Sequence, residues 1–482
     1  MLGVIHVLGL ILAAFGATFA LPLLTSIINS DGTGIAFLTG GFVTSGMGVL
    51  IAAATKRHAR ELKPRDGFLL VTLGWLLMSF AASVPLLLAL PKLSFTSAYF
   101  EAMSGLTSTG VTRLSGLDHL PPAINVWRCS LQWFGGLGVV VLAIAVLPLL
   151  GVGGMQLYRA ETPGPVKDAK MTPRITGTAK SLWLTYVAIT VVGIVALKMA
   201  GMNWLDAVCH GFSAIGLGAF STHDASVAWF NSPTIEFVLV VLMILGAMGF
   251  ARHFIALRQL SFDVYARDPE VRAMLLLLAV SVLGVASLLA AKHTYPSFGI
   301  ALRHSLFAVV SIATTSGLVS QDYSQWPIFV PLWLLFLSCI TSSTGSAGGG
   351  IKMFRTLLLA RQAGRELKLL VHPSAVAPVR IGGRPVPERV GLSVLAFIFL
   401  YFMTATILIF VLVLTGLDFQ SSLGAVMGTL NNAGSGLGVV GPGHTYQALN
   451  HFQAWVCTVA MLLGRLEIFS VLVLFTPTFW RK

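Results

Sequence analysis

The amino-acid sequence predicts an all-α polytopic membrane protein in which four repeats of helix, short helix and helix follow an N-terminal two-helix hairpin. The composition indicates a membrane protein, because 56% of the 482 residues are hydrophobic, 10% are charged and the mean hydropathy is +0.85. The chain also has ten apolar runs of about the length that crosses a bilayer, which is roughly 20 residues. These runs lie near residues 2–29, 34–55, 67–90, 123–150, 181–200, 233–257, 273–291, 326–351, 391–415 and 448–475. A short polar element that occurs four times predicts that these repeats are internal repeats of one unit.

The repeated element, here called the glycine element, is a polar string between apolar segments. Its four copies read SGLTSTGV, SAIGLGAF, SIATTSGL and GTLNNAGS, and they begin at Ser104, Ser213, Ser311 and Gly428. Six residues beyond each start, and 98 to 117 residues apart, lie Gly110, Ala219, Gly317 and Gly434. Glycine lets backbone carbonyls converge where a Cβ would obstruct them. Four such loops around one axis can replace the hydration shell of a cation, so we expect an ion filter here.

A short helix precedes each glycine element, at residues 95–107, 203–216, 297–313 and 419–431. Each is too short to cross the membrane. A half-helix that enters from outside points its negative C-terminal end at the bilayer centre, which favours a cation there. The filter residues that follow are Thr107, Ser108, Thr109 and Gly110; Gly216, Leu217, Gly218 and Ala219; Thr314, Thr315, Ser316 and Gly317; and Asn432, Ala433, Gly434, Ser435 and Gly436.

The domain boundaries follow from the apolar runs and the charged segments between them. We expect a transmembrane hairpin at 1–55 and pore repeats at 66–150, 181–258, 272–362 and 388–482, the third with a glycine-rich intramembrane loop. Most of the 31 Lys and Arg residues lie in segments 56–65, 159–180, 252–272 and 352–389 or at the C-terminal end. The positive-inside rule therefore places both termini in the cytoplasm. These basic segments lack the aromatic interleaving of a nucleic-acid surface, so we expect lipid contacts and no nucleic acid.

Three acidic residues follow the first three glycine elements, at Asp118, Asp224 and Asp322. The fourth element has no acid nearby, and its loop continues to His444. Two interpretations are open for these acids. Each can cap the segment that follows it, or the three together can form an outer mouth that attracts cations.

The eighth apolar run is interrupted by Thr344, Gly345, Ser346, Ala347, Gly348, Gly349 and Gly350. Glycine costs about 1 kcal/mol per residue in a helix relative to alanine, so we expect this stretch to be unwound. A phosphate-binding loop is the alternative, but Lys352 is followed by Met rather than Ser or Thr and no strand precedes the loop. The pattern favours a movable loop below the filter.

Arg465 lies within the last apolar run, two positions before Glu467. A charge in mid-membrane costs roughly 2.5 to 3.5 kcal/mol, so its side chain is expected to face a cavity or a partner. The two interpretations are a pore-facing cation and a structural pair with a nearby acid. Residues two apart on a helix do not face each other, so Glu467 is a poor partner on a continuous helix.

Together these residues resemble the TrkH/KtrB superfamily of potassium transport proteins, and the TrkH branch most closely. The resemblance covers nearly the whole chain and rests on TSTGVT, AFSTHDAS, SIATTSG, LNNAGSGLG, TGSAGGGIKMFR and GRLE. It implies a homodimer in the bacterial inner membrane, with a separate pore in each protomer that is formed by the four repeats in a pseudo-fourfold arrangement. It also implies potassium bound by filter carbonyls, with no other metal site, a gate at 344–350 and Arg465 facing the pore below the filter. The expected partner is a cytosolic nucleotide-binding regulatory subunit similar to TrkA, and this chain has no nucleotide site of its own.

Two glycine elements depart from the pattern of this superfamily. The second has Ala219 where similar proteins usually have glycine. Either the alanine is accommodated, or Gly218 takes the backbone role in a shifted register. In the fourth element, Gly434 and Gly436 can each be the filter glycine.

The function that these patterns favour is potassium uptake through a pore-forming membrane subunit. The alternative is a secondary carrier that couples sodium or protons to transport, but such carriers usually have inverted repeats and acids near the midplane. Here the repeats share one orientation and the spans contain few acids. A membrane enzyme is disfavoured, because the apolar runs contain no paired histidines, metal-ligand cluster or nucleophile with a base.

Overall fold

A computed structural model describes residues 1–60, 62–138 and 175–481, and their regular structure is almost entirely helical. The α-helices span Leu2–Gly16, Ala20–Asn29, Gly34–Thr55, Pro64–Ala89, Phe95–Leu106, Pro122–Trp133, Ile175–Met199, Trp204–Gly216, Pro233–Ala247, Phe250–Gln259, Asp263–Arg267, Pro269–Ala291, Phe298–Ala313, Phe329–Ile340, Met353–Val371, Glu388–Leu414, Phe419–Leu430, His451–Arg465, Phe469–Leu472 and Pro477–Trp480. A π-helical segment, Phe134–Gly138, continues one of them. Two short antiparallel strands, Arg380–Ile381 and Arg384–Pro385, pair in the segment before the fourth repeat.

The N-terminal hairpin consists of helices that touch along their backbones. Small residues make this possible, because a Cβ built on Gly9 would lie 2.7 Å from the Ala52 nitrogen. The hairpin packs on the first repeat through its aromatic residues, and the Phe19 and Trp127 rings lie 4.5 Å apart. A helical hairpin thus precedes the repeats in the structure.

The four short helices have the predicted positions, at Phe95–Leu106, Trp204–Gly216, Phe298–Ala313 and Phe419–Leu430. Each begins with a polar side chain that accepts a hydrogen bond from the first turn, and these caps are Ser94, Asn203, Ser297 and Asp418. Such caps satisfy backbone N–H groups that have no partner within the helix. Each short helix is therefore fixed in place at its start and points its C-terminal end at a glycine element.

The prediction of one span for each apolar run was wrong for the runs at 233–257 and 448–475, which form bent helix pairs, whereas the interruption of the run at 326–351 was predicted. In the described residues, six helices are long and apolar enough to cross a membrane, or up to eight if bent pairs count as spans. Helix Pro233–Ala247 meets Phe250–Gln259 at 100°, and His451–Arg465 meets Phe469–Phe475 at 105°. The run at 326–351 forms only helix Phe329–Ile340, and residues 139–150 of the run at 123–150 lie outside the described residues.

Backbone conformation explains where these spans break. Met248 and Gly249 are extended, with ψ angles of 149° and 125°. Glu467 and Ile468 have φ angles of 56° and 49°, in the left-handed region that L-residues rarely occupy. Breaks at membrane depth leave backbone groups that must find partners within the protein.

The buried apolar residues form two main clusters. One joins the second and third repeats, and the other joins the hairpin with the first and fourth repeats. The glycine elements lie where the four repeats meet, between these clusters.

Candidate functional site

Each short helix ends in the same tight turn. The residue four positions after the start of each glycine element is left-handed, and these residues are Ser108 (φ 53°), Leu217 (φ 53°), Thr315 (φ 64°) and Asn432 (φ 52°). Two positions later, Gly110, Gly317 and Gly434 have φ angles of 76°, 78° and 82°. A positive φ angle is favourable for glycine and strained for residues with a Cβ. The repeated spacing in the sequence is therefore a repeated backbone shape.

The backbone carbonyl of the first residue of each element accepts the hydrogen bonds that close this turn. The Ser104 carbonyl accepts from the nitrogens of Thr109 (2.9 Å) and Gly110 (3.3 Å). Equivalent pairs of bonds reach the carbonyls of Ser311 and Gly428. The turn is thus closed by hydrogen bonds within its own backbone.

The second element keeps the common register. Leu217 takes the left-handed position, and the Gly218 nitrogen donates to the Ser213 carbonyl at 2.9 Å, as Thr109 does to Ser104. Ala219 therefore stands at the glycine position and is accommodated there, and Gly218 does not replace it.

The fourth element has Gly434 at the position of Gly110 and Gly317. Its nitrogen donates to the Gly428 carbonyl at 3.3 Å. Gly436 lies outside the turn, because its nitrogen donates to the Val440 carbonyl at 2.9 Å. Ser435 and Gly434 both line a cavity beside the four elements.

The four elements converge on the methyl group of Ala219. A Cβ built on Gly110 would lie 2.6 Å from the Ala219 Cβ, and a Cβ built on Gly317 or Gly434 would lie 2.9 Å from it. Cβ atoms are not found at such distances from a neighbour, so side chains at these glycines would collide with the opposite element. The structure brings the four predicted filter segments to one point.

An outer cavity of about 220 Å³ opens above this point. All four elements line it, together with residues of the outer loops that include His223, Asp224 and His444. Of the three predicted mouth acids, Asp224 lines this cavity. Its carboxylate accepts hydrogen bonds from the nitrogens of Gly116 (2.9 Å) and Leu117 (3.1 Å), so it also fixes the loop after the first element.

Asp118 and Asp322 also accept hydrogen bonds from other loop residues. Asp118 accepts from His223 Nδ1 at 2.5 Å and from the Asp224 nitrogen at 3.2 Å. Burial opposes ionisation of Asp118, but these hydrogen bonds and the histidine lower the pKa of its carboxyl below the ordinary value. Asp322 caps a short helical turn by accepting from the Ser324 nitrogen at 3.0 Å. For Asp322 the capping interpretation therefore describes the geometry.

The glycine-rich loop lies against the inner end of the glycine elements. The Gly349 nitrogen donates to Thr315 Oγ1 at 3.1 Å, and the Ser342 hydroxyl donates to the Thr314 carbonyl at 3.2 Å. A Cβ built on Gly349 would lie 3.1 Å from Asn432 Oδ1. The loop thus touches the third and fourth elements from below.

The end of helix Pro233–Ala247, where the second repeat bends, forms hydrogen bonds with the same loop. The Ser343 nitrogen donates to the Ala247 carbonyl at 3.0 Å, and the Ala347 nitrogen donates to Gly246 at 3.3 Å. These acceptors belong to the last turn of helix Pro233–Ala247, where carbonyls have no partner within the helix. The loop therefore satisfies backbone groups that the 100° bend exposes.

Arg465 is the last residue of its helix rather than part of a continuous span. Its guanidinium donates to the carbonyls of Ala347 (2.7 Å), Gly136 (2.6 Å) and Gly135. It thereby joins the glycine-rich loop to the π-helical segment of the first repeat. Glu467 is engaged elsewhere, with Lys352 at 3.1 Å and Arg355 at 2.5 Å.

A buried ion pair behind the first two elements was not predicted. Arg128 Nε lies 2.7 Å from Glu101 Oε1, and both side chains are fully buried. Arg128 also donates to the Ser221 carbonyl at 3.2 Å, while Glu101 accepts from the Thr112 hydroxyl at 2.8 Å. The pair joins the segments just after the first and second elements. The available signal was a charged residue in an apolar run, which usually faces the protein interior.

Comparison with known proteins gives a consistent result. A family model, TrkH, described as a cation transport protein, matches residues 33–482. The chain is 46% identical over 482 residues to the Trk system potassium uptake protein TrkH of Vibrio parahaemolyticus, with 99% of each chain covered. It is 39% identical over 429 residues to the Trk system potassium uptake protein TrkG of Escherichia coli, with 89% and 88% covered. The crystal structure of the potassium transporter TrkH from Vibrio parahaemolyticus matches with a TM-score of 0.90 at 43% identity, covering 100% of this chain and 99% of that chain.

Proposed function

The chain belongs to the TrkH family of cation transport proteins, and on this premise we propose that it is the pore-forming membrane subunit of a potassium uptake system. It is a multi-pass membrane protein of a transporter family. The observation that carries the proposal is the meeting of four similar turns at one point, with glycines of positive φ at three of them.

Backbone carbonyls of the four turns bind the ion in this proposal. A dehydrated potassium ion needs several oxygen ligands at once, and convergent carbonyls supply them without a formal charge. The four short helices aim their negative C-terminal ends at the same region, which further favours a cation. Asp224 at the outer cavity adds a negative charge to the approach path.

Flow through this filter is restricted from below by the 344–350 loop and Arg465. Contact between Gly349 and Thr315 supports this role, because the loop lies directly against a filter element. Arg465 places a positive charge beside the loop, hydrogen-bonded to Ala347. Movement of the loop requires these hydrogen bonds to break, so in this proposal the hydrogen-bonded loop is the closed state of the gate.

The cellular arrangement follows from charge placement and family resemblance. We propose that the protein lies in the bacterial inner membrane with both termini in the cytoplasm, as a homodimer. The proposed regulatory partner is a cytosolic nucleotide-binding subunit similar to TrkA. Exposed basic residues on helix Met353–Val371, among them Arg361 and Lys368, support a docking site for an acidic surface.

Complementation tests the proposed function most simply. A bacterial strain without potassium uptake should grow at limiting potassium when it expresses this chain with its regulatory subunit, and the same cells should take up rubidium. Failure of both growth and rubidium uptake, with the protein present in the membrane, would contradict the proposal.

A further inference from the structure

We infer that Glu270, held in place by Arg252, positions the hinge of the 344–350 loop and thereby keeps this loop closed beneath the filter. The inference rests on the proposed function, because it takes the loop to be the gate. It concerns a charged network outside the filter that joins the second and third repeats to the start of the loop.

Glu270 is a buried carboxylate with a partner on each oxygen. It lies in the first turn of helix Pro269–Ala291 and is 3% exposed. Its Oε2 accepts a hydrogen bond from the Thr344 nitrogen at 2.8 Å, and its Oε1 lies 3.0 Å from Arg252 Nη2. Charge-assisted bonds of this kind are roughly twice as strong as neutral ones, so the carboxylate is firmly oriented.

Arg252 connects this carboxylate to a second one. Its Nε lies 2.5 Å from Asp268 Oδ2, and Asp268 in turn caps the helix by accepting from the nitrogens of Glu270 (2.9 Å) and Val271 (3.0 Å). Arg252 Nη1 is also directed at the Thr344 carbonyl, at 3.5 Å. Both backbone groups of Thr344 therefore face the same network, which is largely shielded from solvent.

The residue after Thr344 has the properties of a hinge. Gly345 has a φ angle of 77°, and a Cβ built on it would meet nothing within 4 Å. Two residues further on, Ala347 is held by Arg465 from the fourth repeat. The segment between Thr344 and Ala347 is thus fixed at both ends, with a permissive residue between them. Releasing the Thr344 end shifts the loop toward conformations in which it leaves the filter.

Loss of the carboxylate charge should therefore increase ion flow. We expect Glu270→Gln to raise rubidium flux per folded protein by up to about tenfold, which corresponds to about 1.4 kcal/mol of lost closed-state stability. The ratio of rubidium to sodium flux should stay the same, because no filter contact changes. Arg252→Ala should act in the same direction, and the double variant should add little, since both residues act through one network.

A neighbouring ion pair provides the control. Arg267 and Asp263 lie 2.9 Å apart in the adjoining segment, and their side chains are 83% and 66% exposed. Asp263→Asn should leave flux unchanged. Unchanged or lower flux in Glu270→Gln at an unchanged melting temperature would overturn the inference, as would an equal rise in Asp263→Asn.

Loop position can be measured separately from flux. A thiol introduced by Ser346→Cys, in the half-buried middle of the loop, should react faster with a charged thiol reagent when Glu270→Gln is also present. Equal labelling rates with and without Glu270→Gln would overturn the inference. If Glu270→Gln does not fold, Arg252→Lys takes its place, because lysine keeps the charge but cannot bridge both carboxylates.

The failure of the proposed function would look different. If the parent protein passes no rubidium in liposomes with its regulatory subunit, the proposal that this chain forms an ion-conducting pore is wrong. If deletion of residues 345–350 leaves flux unchanged, the loop is not the gate. In a protein whose flux rises on that deletion, Glu270→Gln should have no further effect, and an undiminished further rise would show that the carboxylate acts elsewhere.

Discussion

The methyl group of Ala219 occupies the space that a side chain at Gly110 would need, since a Cβ built on Gly110 would lie 2.6 Å from the Ala219 Cβ. The same methyl lies 2.9 Å from the Cβ positions of Gly317 and Gly434. One alanine therefore faces three glycines at the meeting point of the four repeats. In the proposed filter, one position therefore differs from the other three.

Replacing this alanine should make the filter more symmetric. We expect Ala219→Gly to raise the ratio of potassium to sodium flux about three- to tenfold, or about 0.7 to 1.4 kcal/mol, because four equivalent backbones can then surround the larger ion. Ion flux into proteoliposomes under matched gradients measures this. A variant with the parent's flux and flux ratio would mean that the methyl does not touch the ion path.

Adding a side chain to the opposite elements should have the reverse effect. Gly110→Ser and Gly317→Ser should each weaken discrimination between potassium and sodium, because the new Cβ would collide with Ala219 and displace the filter carbonyls. Relative sodium and rubidium uptake in the same cells gives the comparison.

Gly116→Ser is the matched control for backbone strain. Gly116 has a φ angle of 73°, close to that of Gly110, but a Cβ there would meet nothing within 4 Å. The Gly116→Ser variant should therefore be somewhat less stable than the parent protein and keep the parent's selectivity. Equal loss of selectivity in Gly116→Ser, or none in either filter variant, would remove these turns from the filter.

Removing the guanidinium of Arg465 should raise cation flux. Two unit charges about 6 Å apart repel by roughly 3 kcal/mol at an effective dielectric near 20, so a fixed charge below the filter is a substantial barrier. Arg465→Ala removes both this charge and the hydrogen bond to Ala347. Arg465→Lys should keep most of the barrier, because the repulsion needs a charge and not a fork of donors.

A purely structural role for Arg465 predicts a loss of stability in Arg465→Ala without a rise in flux. Its bonds to Gly136 and Ala347 join two repeats, so their loss would cost stability, at about 1.5 to 3 kcal/mol for each hydrogen bond that involves a charged group. Flux per folded protein should be measured together with the melting temperature in detergent. A destabilised Arg465→Ala protein without increased flux would contradict the pore-facing role of Arg465.

The basic helix Met353–Val371 should contribute to binding of the regulatory subunit. Arg361 and Lys368 are exposed on it and Arg365 is half-buried. Charge reversal at all three should weaken co-purification of the cytosolic subunit by reducing attraction to an acidic face. Lys292→Glu, at the exposed C-terminal end of helix Pro269–Ala291, is the control. Undiminished binding at moderate salt would favour contact with lipid headgroups instead.

The short helices and their turns could be predicted because local chemistry specifies them. Polar caps such as Ser94 and Asp418 begin the helices, and a glycine such as Gly317 closes the turn with a positive φ. These signals lie within a few residues of the structure that they determine. Their repetition in the sequence therefore predicted the four short helices and the turns that follow them, while the filter role of these turns stays a proposal.

The broken spans could not be predicted because their partners are distant in sequence. The bend after Ala247 is stable since its carbonyl accepts from Ser343, 96 residues later. Arg465 lies within an apolar run, yet its acceptors belong to the first and third repeats. Such contacts exist only after the repeats have assembled, and the hydropathy of the sequence does not indicate them. The Glu101–Arg128 pair was readable in principle, as two opposite charges in otherwise apolar segments.

Anomalous scattering from crystals grown with rubidium tests the central claim most directly. A bound ion should give a density peak on the axis where Gly110, Ala219, Gly317 and Gly434 meet, within contact distance of backbone carbonyls from all four elements. The peak should weaken in Gly317→Ser. Rubidium density elsewhere in the membrane region, with none at this point, would contradict the assignment of these turns as the ion filter.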